Sequence, residues 1–204
     1  MAVNPQKRYT LEEYLELDRK AEERLEYWRG EIFNMSGASA AHSQIETNLI
    51  FHLRTKLAER NCRVFAANMR LKVPTAPPYR YGDFSALCGE AQYEKIGGVD
   101  ALVNPALVVE VLSTSTESYD RGEKFTQYKS IPSLSEYLLI DQYRPHVTQF
   151  VRQPDGAWLQ REFSELGATF KLKSLDCEIS LGEIYQEVVF TETTPINSSL
   201  RFSE

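Results

Sequence analysis

The spacing of apolar positions along the chain predicts a mixed order of helices and strands. Ile45, Leu49, Leu53 and Leu57 recur every fourth residue through a stretch free of Gly and Pro. That period defines a long amphipathic helix whose stripe faces the core. Thr10-Leu-Glu-Glu13 has the form of a capping box, so a short helix starts there, turns Leu11, Tyr14, Leu15 and Leu17 inward and serves as a lid. Short runs bounded by breakers read as strands: residues 25–35 as a hairpin around Arg29-Gly30, then Arg63 to Ala67, Met69 to Val73, the run containing Asp83, and Asn104 to Ser113. A polar loop ending in Gly97-Gly98 separates the last two. A further helix runs from Glu117 to Lys129 and stops at Ile131-Pro132, because a residue before proline avoids the helical region. Residues 136–141, 146–152 and 157–162 alternate as strands, the last two joined by a turn at Pro154-Asp-Gly156.

The run Leu107-Val-Val-Glu-Val-Leu112 is the most apolar of these, yet it holds Glu110. Its length and branched residues fit a strand buried on both faces, where an ionised carboxylate needs a metal, a partner or a proton. Side chains alternate along a strand, so Glu110 shares a face with Val108 and Leu112 while Val111 points away and can turn its backbone carbonyl toward an ion. Asp83 opens the preceding run, and Asp120-Arg-Gly-Glu-Lys124 follows on the next helix. Two carboxylates, a carbonyl and a lysine are the parts of a magnesium-dependent phosphodiesterase site.

Length and composition fit this picture without singling it out. The 204 residues, 42% hydrophobic and 25% charged, are expected to form one domain over 1–190 with one core, and the Ser-, Thr- and Asn-rich end, 191–204, is expected to fray. A net charge of −6 excludes a broadly basic surface, so binding to nucleic acid has to rest on a local patch or a neutralising ion. Arg54, Lys56, Arg60, Arg63, Arg70, Lys72 and Arg80 concentrate positive charge in the first half and form a candidate phosphate track. Cys62, Cys88 and Cys177 lack Cys-x-x-Cys spacing, which speaks against a disulfide framework or zinc site and for a reducing cytoplasm. No uninterrupted apolar stretch is long enough to cross a bilayer. No nucleophile elbow, Walker loop, dinucleotide fingerprint or His-Glu-x-x-His pair is present.

A series of motifs carries a more specific resemblance. Tyr-x-Asp-Phe at 81–84, Leu-Val-Val-Glu-Val-Leu-Ser at 107–113, Ser-Thr-Glu at 115–117, Asp-Arg-Gly-Glu-Lys-Phe at 120–125 and Ile-Pro-Ser-Leu-Ser-Glu-Tyr at 131–137 resemble successive signature blocks of the Uma-two family. These are restriction-endonuclease-like proteins within the PD-(D/E)xK nuclease superfamily, and the resemblance runs over residues 8–190. It implies a restriction-endonuclease-like core, a central mixed β-sheet flanked by helices with an N-terminal helix and hairpin. It also implies DNA as substrate, Mg2+ or Mn2+ as cofactor, and Asp83 and Glu110 as ligands. The superfamily's usual lysine, two residues after the second acid, is replaced here by Leu112, which makes Lys124 its equivalent. Gly82 stands where proline usually precedes the first acid, a change in backbone stiffness rather than in ligands.

Several neighbours qualify as accessories. Glu46 borders the core stripe of the long helix, and some superfamily members place an acid there beside the metal. His42 lies one turn before it, as a partner or merely a polar helix start. Gln127 can steady Lys124 or a water, although exposure is the default for glutamine. Ser113 can bond near Glu110 or end the strand, while Tyr128 and Tyr137 read as packing residues with a hydroxyl at the rim. Cleaving a duplex calls for two sites, so a homodimer is expected, with the hairpin at Tyr27 and Trp28 as one candidate interface among others. The competing reading keeps the fold and discards the chemistry, leaving a silent module for dimerisation or nucleic-acid binding.

Overall fold

A computed structural model describes residues 8–34 and 37–190, so the expected fraying of 191–204 lies outside the described residues. In chain order the elements are α1 (Leu11–Lys20), β1 (Leu25–Trp28), β2 (Glu31–Asn34), α2 (Ala40–Lys56), β3 (Cys62–Ala66), β4 (Arg70–Leu71), β5 (Arg80–Tyr81), β6 (Phe84–Cys88), β7 (Tyr93–Ile96), β8 (Val99–Leu102) and β9 (Leu107–Leu112). Then follow α3 (Glu117–Tyr119), a π turn (Asp120–Lys124), α4 (Phe125–Tyr128), β10 (Glu136–Asp141), β11 (Val147–Arg152), β12 (Trp158–Phe163), β13 (Thr169–Leu172), β14 (Cys177–Ser180) and α5 (Leu181–Ile184).

The apolar run around Glu110 becomes β9, buried at every residue, because neighbours cover both its edges and both its faces. The main sheet has the order β12-β11-β10-β9-β6-β3. β9 pairs parallel to β10 and antiparallel to β6, which makes the sheet mixed. The parallel pair needs a crossover, and the segment α3–π turn–α4 supplies it. Side-chain alternation then divides the core. Leu107, Val109 and Val111 pack with Ile45, Leu49, Leu53 and Leu57 of α2 on one face, as the four-residue spacing predicts. Val108 and Leu112 pack with Phe125, Tyr128 and Tyr137 on the other.

A second sheet, β5-β4-β8-β7, lies before β9 in sequence. Its β7–β8 hairpin occupies the segment expected to be a polar loop. Gly97 and Gly98 have φ of 61° and 85°, the positive values a two-residue hairpin turn requires. The Gly-Gly pair was the signal, and the polar residues around it masked it because both strands are largely exposed. β13, β14 and α5 have no counterpart in the periodicity either. They close the α2 face, where Asn48 donates to the carbonyls of Ile184 and Gln186 at 2.9 and 2.8 Å.

At the N-terminus both hydrogen bonds of the Thr10–Glu13 capping box form. Tyr14 is fully buried, whereas Leu17 faces outward at 41% exposure. The Tyr14 hydroxyl lies 2.7 Å from that of Tyr79, which donates to Asp18 at 2.7 Å. Arg70 also reaches Asp18 at 2.5 Å. This network clamps α1 beside β5. No residue of α1 lines the main cleft described below, so α1 is a brace rather than a lid.

Cys62 and Cys88 correct the reading of the cysteines. The β3–β6 register sets them directly opposite one another, and they form a disulfide closing a loop of sequence separation 26. Spacing along the chain could not show a pairing made by strand register. The cysteine argument for a reducing compartment therefore falls away.

Gly82 is a matter of space rather than stiffness. A Cβ there would stand 3.0 Å from Val108 Cγ1 and 3.5 Å from the Phe84 carbonyl oxygen, tighter than ordinary contact against a stiff, β-branched side chain. Gly82→Ala is expected to lower unfolding free energy by about 1–3 kcal/mol. Urea denaturation measures it, and wild-type stability in the variant would refute the close-approach account.

Candidate active site

The β6–β9 ladder stops where the charges begin. Its last pair is Phe84 with Val109. Continuing that register by one residue would set Asp83 opposite Glu110. Two like charges directly across a pair of strands repel, and the strands part there instead. Asp83 Oδ2 takes the place of a ladder acceptor, receiving the Val111 N–H at 2.7 Å. In an extended strand the N–H and C=O of one residue leave by the same edge, so the Val111 carbonyl also leaves toward Asp83, the direction expected for it.

The opening between the strands is a cleft of about 360 Å³ lined by Asp83, Glu110, Val111, Lys124, His42 and Glu46, among others. Lys124 comes from the π turn. Fully buried, its Nζ lies 2.9 Å from Glu110 Oε2 and 3.6 Å from Asp120 Oδ1. The other Glu110 oxygen accepts the Tyr128 hydroxyl at 2.9 Å. Tyr137, also buried, donates to the Asp120 carbonyl at 3.0 Å. Both hydroxyls therefore sit inside the site and not at a rim. The α2 helix begins on Ser39, whose side chain accepts from the His42 N–H. That start places His42 Nε2 3.4 Å from Asp83 Oδ2 and 3.7 Å from Glu46 Oε1.

Burial and charge set the protonation states. Burial pushes Glu110 well above the usual carboxylate range, Lys124 opposes it, and the charges of Asp83 and Asp120 add to the rise. Burial works to lower Lys124, but Glu110, Glu26, Asp120 and Asp83 together hold it well above its ordinary value. Lys124 is therefore an ammonium at neutral pH, a donor and not a base. Burial would also lower His42, yet its bonds to Asp83 and Glu46 raise it to about 10. Asp83 is lowered: burial raises it, and the His42 hydrogen bond and charge, Lys124 and the Val111 N–H outweigh that.

Of the residues singled out in the sequence, Asp83, Glu110, Lys124, Glu46, His42 and Val111 all reach this cleft. Gln127 does not serve it. Buried rather than exposed, Gln127 accepts from Arg80 Nε at 2.9 Å, because it leaves its helix on the side of β5. Ser113 also lines the cleft, and its hydroxyl lies 3.0 Å from those of Ser115 and Thr116. Leu112 is buried in the apolar cluster beneath the helix, so a lysine there would have no water-exposed path. Asp120, which in the sequence offered Lys124 only a surface partner, and Tyr128, read there as a packing residue, are both buried at the site, and their spacing of four residues on either side of Lys124 is what brings them to it.

The candidate phosphate track disperses. Arg80 is buried against Gln127 and the Trp28 ring, Arg70 is bound to Asp18, Lys56 to Glu183, Lys72 to Glu94, and Arg60 to Asp176. Tyr27 and Trp28 likewise turn toward their own chain, Tyr27 stacking near Tyr14 with centroids 5.4 Å apart and Trp28 lying between Arg29 and Arg80.

The donor set suits a divalent ion. One ligand atom each from His42, Glu46 and Asp83 lies within 4.8 Å of the others, and Glu110 adds a carboxylate whose partner, Lys124, is itself a cation.

The sequence of this chain matches, over residues 11–182, the Uma2 family described as "Putative restriction endonuclease". The chain belongs to that family. Two proteins from Synechocystis are similar to the chain: "Uncharacterized protein sll1609", 36% identical over 79% of this chain and 91% of its own length, and "Uncharacterized protein slr1290", 31% identical over 88% and 92%. The fold matches a crystal structure from Anabaena variabilis, "a putative nuclease belonging to DUF820", with TM-score 0.69 at 18% identity over 89% of this chain and 99% of that one. At that identity the likeness speaks for the fold, a mixed sheet flanked by helices, and not for particular Uma2 residues.

In this Uma2 site the Glu110–Lys124 pair is a mutual dependence. Lys124→Met is expected to destabilise the protein by about 3–5 kcal/mol, because it leaves a buried carboxylate without its cation. The double variant Glu110→Gln/Lys124→Met is expected to lose less than the sum of the two single changes. Urea unfolding in EDTA measures the cycle, and strict additivity would contradict the coupling.

Proposed function

We propose that this Uma2 protein is a metal-dependent endonuclease that hydrolyses phosphodiester bonds in DNA. Asp83 and Glu110 hold Mg2+, with Mn2+ as a substitute, beside the Val111 carbonyl. The observation that carries the reading is the 2.9 Å contact between Lys124 and Glu110. A lysine displaced onto the next helix still arrives at the second acid, inside the cleft that contains the first.

When bound, the ion would polarise a phosphoryl oxygen and make its own water easier to deprotonate. The rest of the work falls to the chain. Asp83 is held ionised and oriented by the Val111 N–H and by His42. Lys124, fixed as an ammonium, orients the attacking water and sets positive charge where negative charge grows on the phosphoryl oxygens. Tyr128 holds the second Glu110 oxygen at 2.9 Å, and Asp120 gives Lys124 a further acidic contact at 3.6 Å. The acids outnumber the cations lining the cleft, so a phosphate enters more easily once a divalent ion is in place.

Cleavage of supercoiled, linear and single-stranded DNA in MgCl2 or MnCl2 tests the proposal. Activity is expected to vanish in EDTA and to fall about 100-fold or more in Asp83→Ala. Equal behaviour of wild type and Asp83→Ala on every substrate would remove the chemistry. The silent-module reading draws on the same saturation of Glu110 by Lys124 and Tyr128. It predicts no thermal stabilisation by magnesium, whereas the nuclease reading predicts stabilisation that weakens in Glu110→Gln.

Two cuts in a duplex call for a homodimer. Tyr27 and Trp28 are half-buried against their own chain, by Tyr14 and by Arg29 and Arg80. Light scattering at working concentration is expected to give twice the chain mass, and a purely monomeric result would overturn this part of the proposal.

A further inference from the structure

The cleft holds more ligand atoms than the two acids require, and one of them is nitrogen. His42 is fixed by the first turn of α2, where the Ser39 cap holds its N–H at 3.0 Å. Its Nε2 points at Asp83 Oδ2, 3.4 Å away, and Glu46 Oε1 stands 3.7 Å off on the same helix face. Glu110, by contrast, has both oxygens engaged, by Lys124 and by Tyr128. The donors that converge apart from the Glu110–Lys124 pair are thus one imidazole and two carboxylates, and an ion bound there would take the place of the imidazole's proton. All three come from two adjacent pieces of backbone, the start of α2 and the residue that opens β6.

We infer that His42 is an inner ligand of the ion, with Asp83 and Glu46, and that it makes the site selective for an imidazole-tolerant transition ion such as Mn2+ over Mg2+. The inference rests on the metal-dependent reading above, adds His42 and Glu46 to the ligands named there and reverses the order of the two ions. Mg2+ prefers hard oxygen donors and keeps much of its water. Imidazole suits the first-row transition ions, which also bind mixed nitrogen and oxygen sites more tightly than magnesium does. Glu46 and Asp83 both face Nε2, so that one nitrogen is turned toward the two groups that would share the ion with it.

Binding is read separately for MnCl2 and MgCl2 by calorimetry on the whole chain, and the manganese-loaded wild type is examined by pulsed electron paramagnetic resonance. Wild type is expected to bind Mn2+ more tightly than Mg2+ and to show modulation from a directly bound imidazole nitrogen. That modulation is expected to change when all histidine is isotopically labelled, a readout that needs no variant. His42→Gln is expected to lose the modulation and to weaken Mn2+ binding by about 10-fold or more, with Mg2+ binding little altered. Manganese bound to wild type without nitrogen modulation would overturn the inference. So would modulation that survives in a folded His42→Gln protein, since His52 or His146 would then be its source, and so would equal weakening of both ions, the mark of a residue that only positions Asp83. Wild type that binds neither ion, or Asp83→Asn that binds Mn2+ as tightly as wild type, would instead overturn the metal site itself.

Discussion

Two carboxylates that cannot stand opposite each other determine the shape of this protein's working end. Asp83 and Glu110 fall in register across β6 and β9, and the ladder ends one pair earlier, at Phe84 and Val109. A β-sheet normally hides its backbone edges by pairing them. Here the separation of two central strands opens on a cleft lined by Asp83, Glu110 and Val111 together with Lys124, His42 and Glu46. The gap is stable because each exposed group finds a local partner: the Val111 N–H goes to Asp83, and the Glu110 oxygens go to Lys124 and Tyr128.

The rest of the architecture keeps that gap from closing or filling. α2 covers one face with its four-residue stripe and ends its first turn at the cleft, so packing and function share one helix. The crossover covers the other face, delivering Lys124 and Tyr128 together with the aromatic stack of Phe125 and Tyr137, whose rings are nearly parallel with centroids 4.7 Å apart. The disulfide ties the edge strand β3 to β6, and the strand so anchored is the one that begins just after Asp83. At the far end of the sheet Glu136, with no exposure, is satisfied by Gln149 and by both polar groups of Ser174. Buried carboxylates thus occur twice in neighbouring parallel strands. Of these two, only Glu110 is balanced by a cation, Lys124, and only Glu110 lines the cleft.

What the sequence disclosed follows from how local each signal is. The α2 stripe, the Thr10 capping box, the β11–β12 turn and the oddity of Glu110 are written in a few adjacent residues, and each emerged as read. Features made by register or by distant contact were hidden. The Cys62–Cys88 bond depends on how β3 aligns with β6, and the engagement of Gln127 with Arg80 depends on which way a helix side faces. The β7–β8 hairpin was masked because exposed strands lack the alternation that marks half-buried ones. Basic residues misled for a related reason: a run of positive charge in one dimension says nothing about the acid that each side chain meets in three. His42 was legible only as a residue one turn from Glu46, because its nearness to Asp83 is a tertiary fact.

The π turn at Asp120–Lys124 has a consequence for how the site tolerates change. Such a turn is most simply an α-helix with one residue inserted, and here the widened segment carries the exposed, uncrowded Gly122. Loss of that one residue would rewind the segment to ordinary pitch and leave Asp120 three residues before Lys124 instead of four. The 3.6 Å contact between them would have to be remade although every charged group remained. The geometry around Lys124 therefore depends on chain length as well as on side-chain identity.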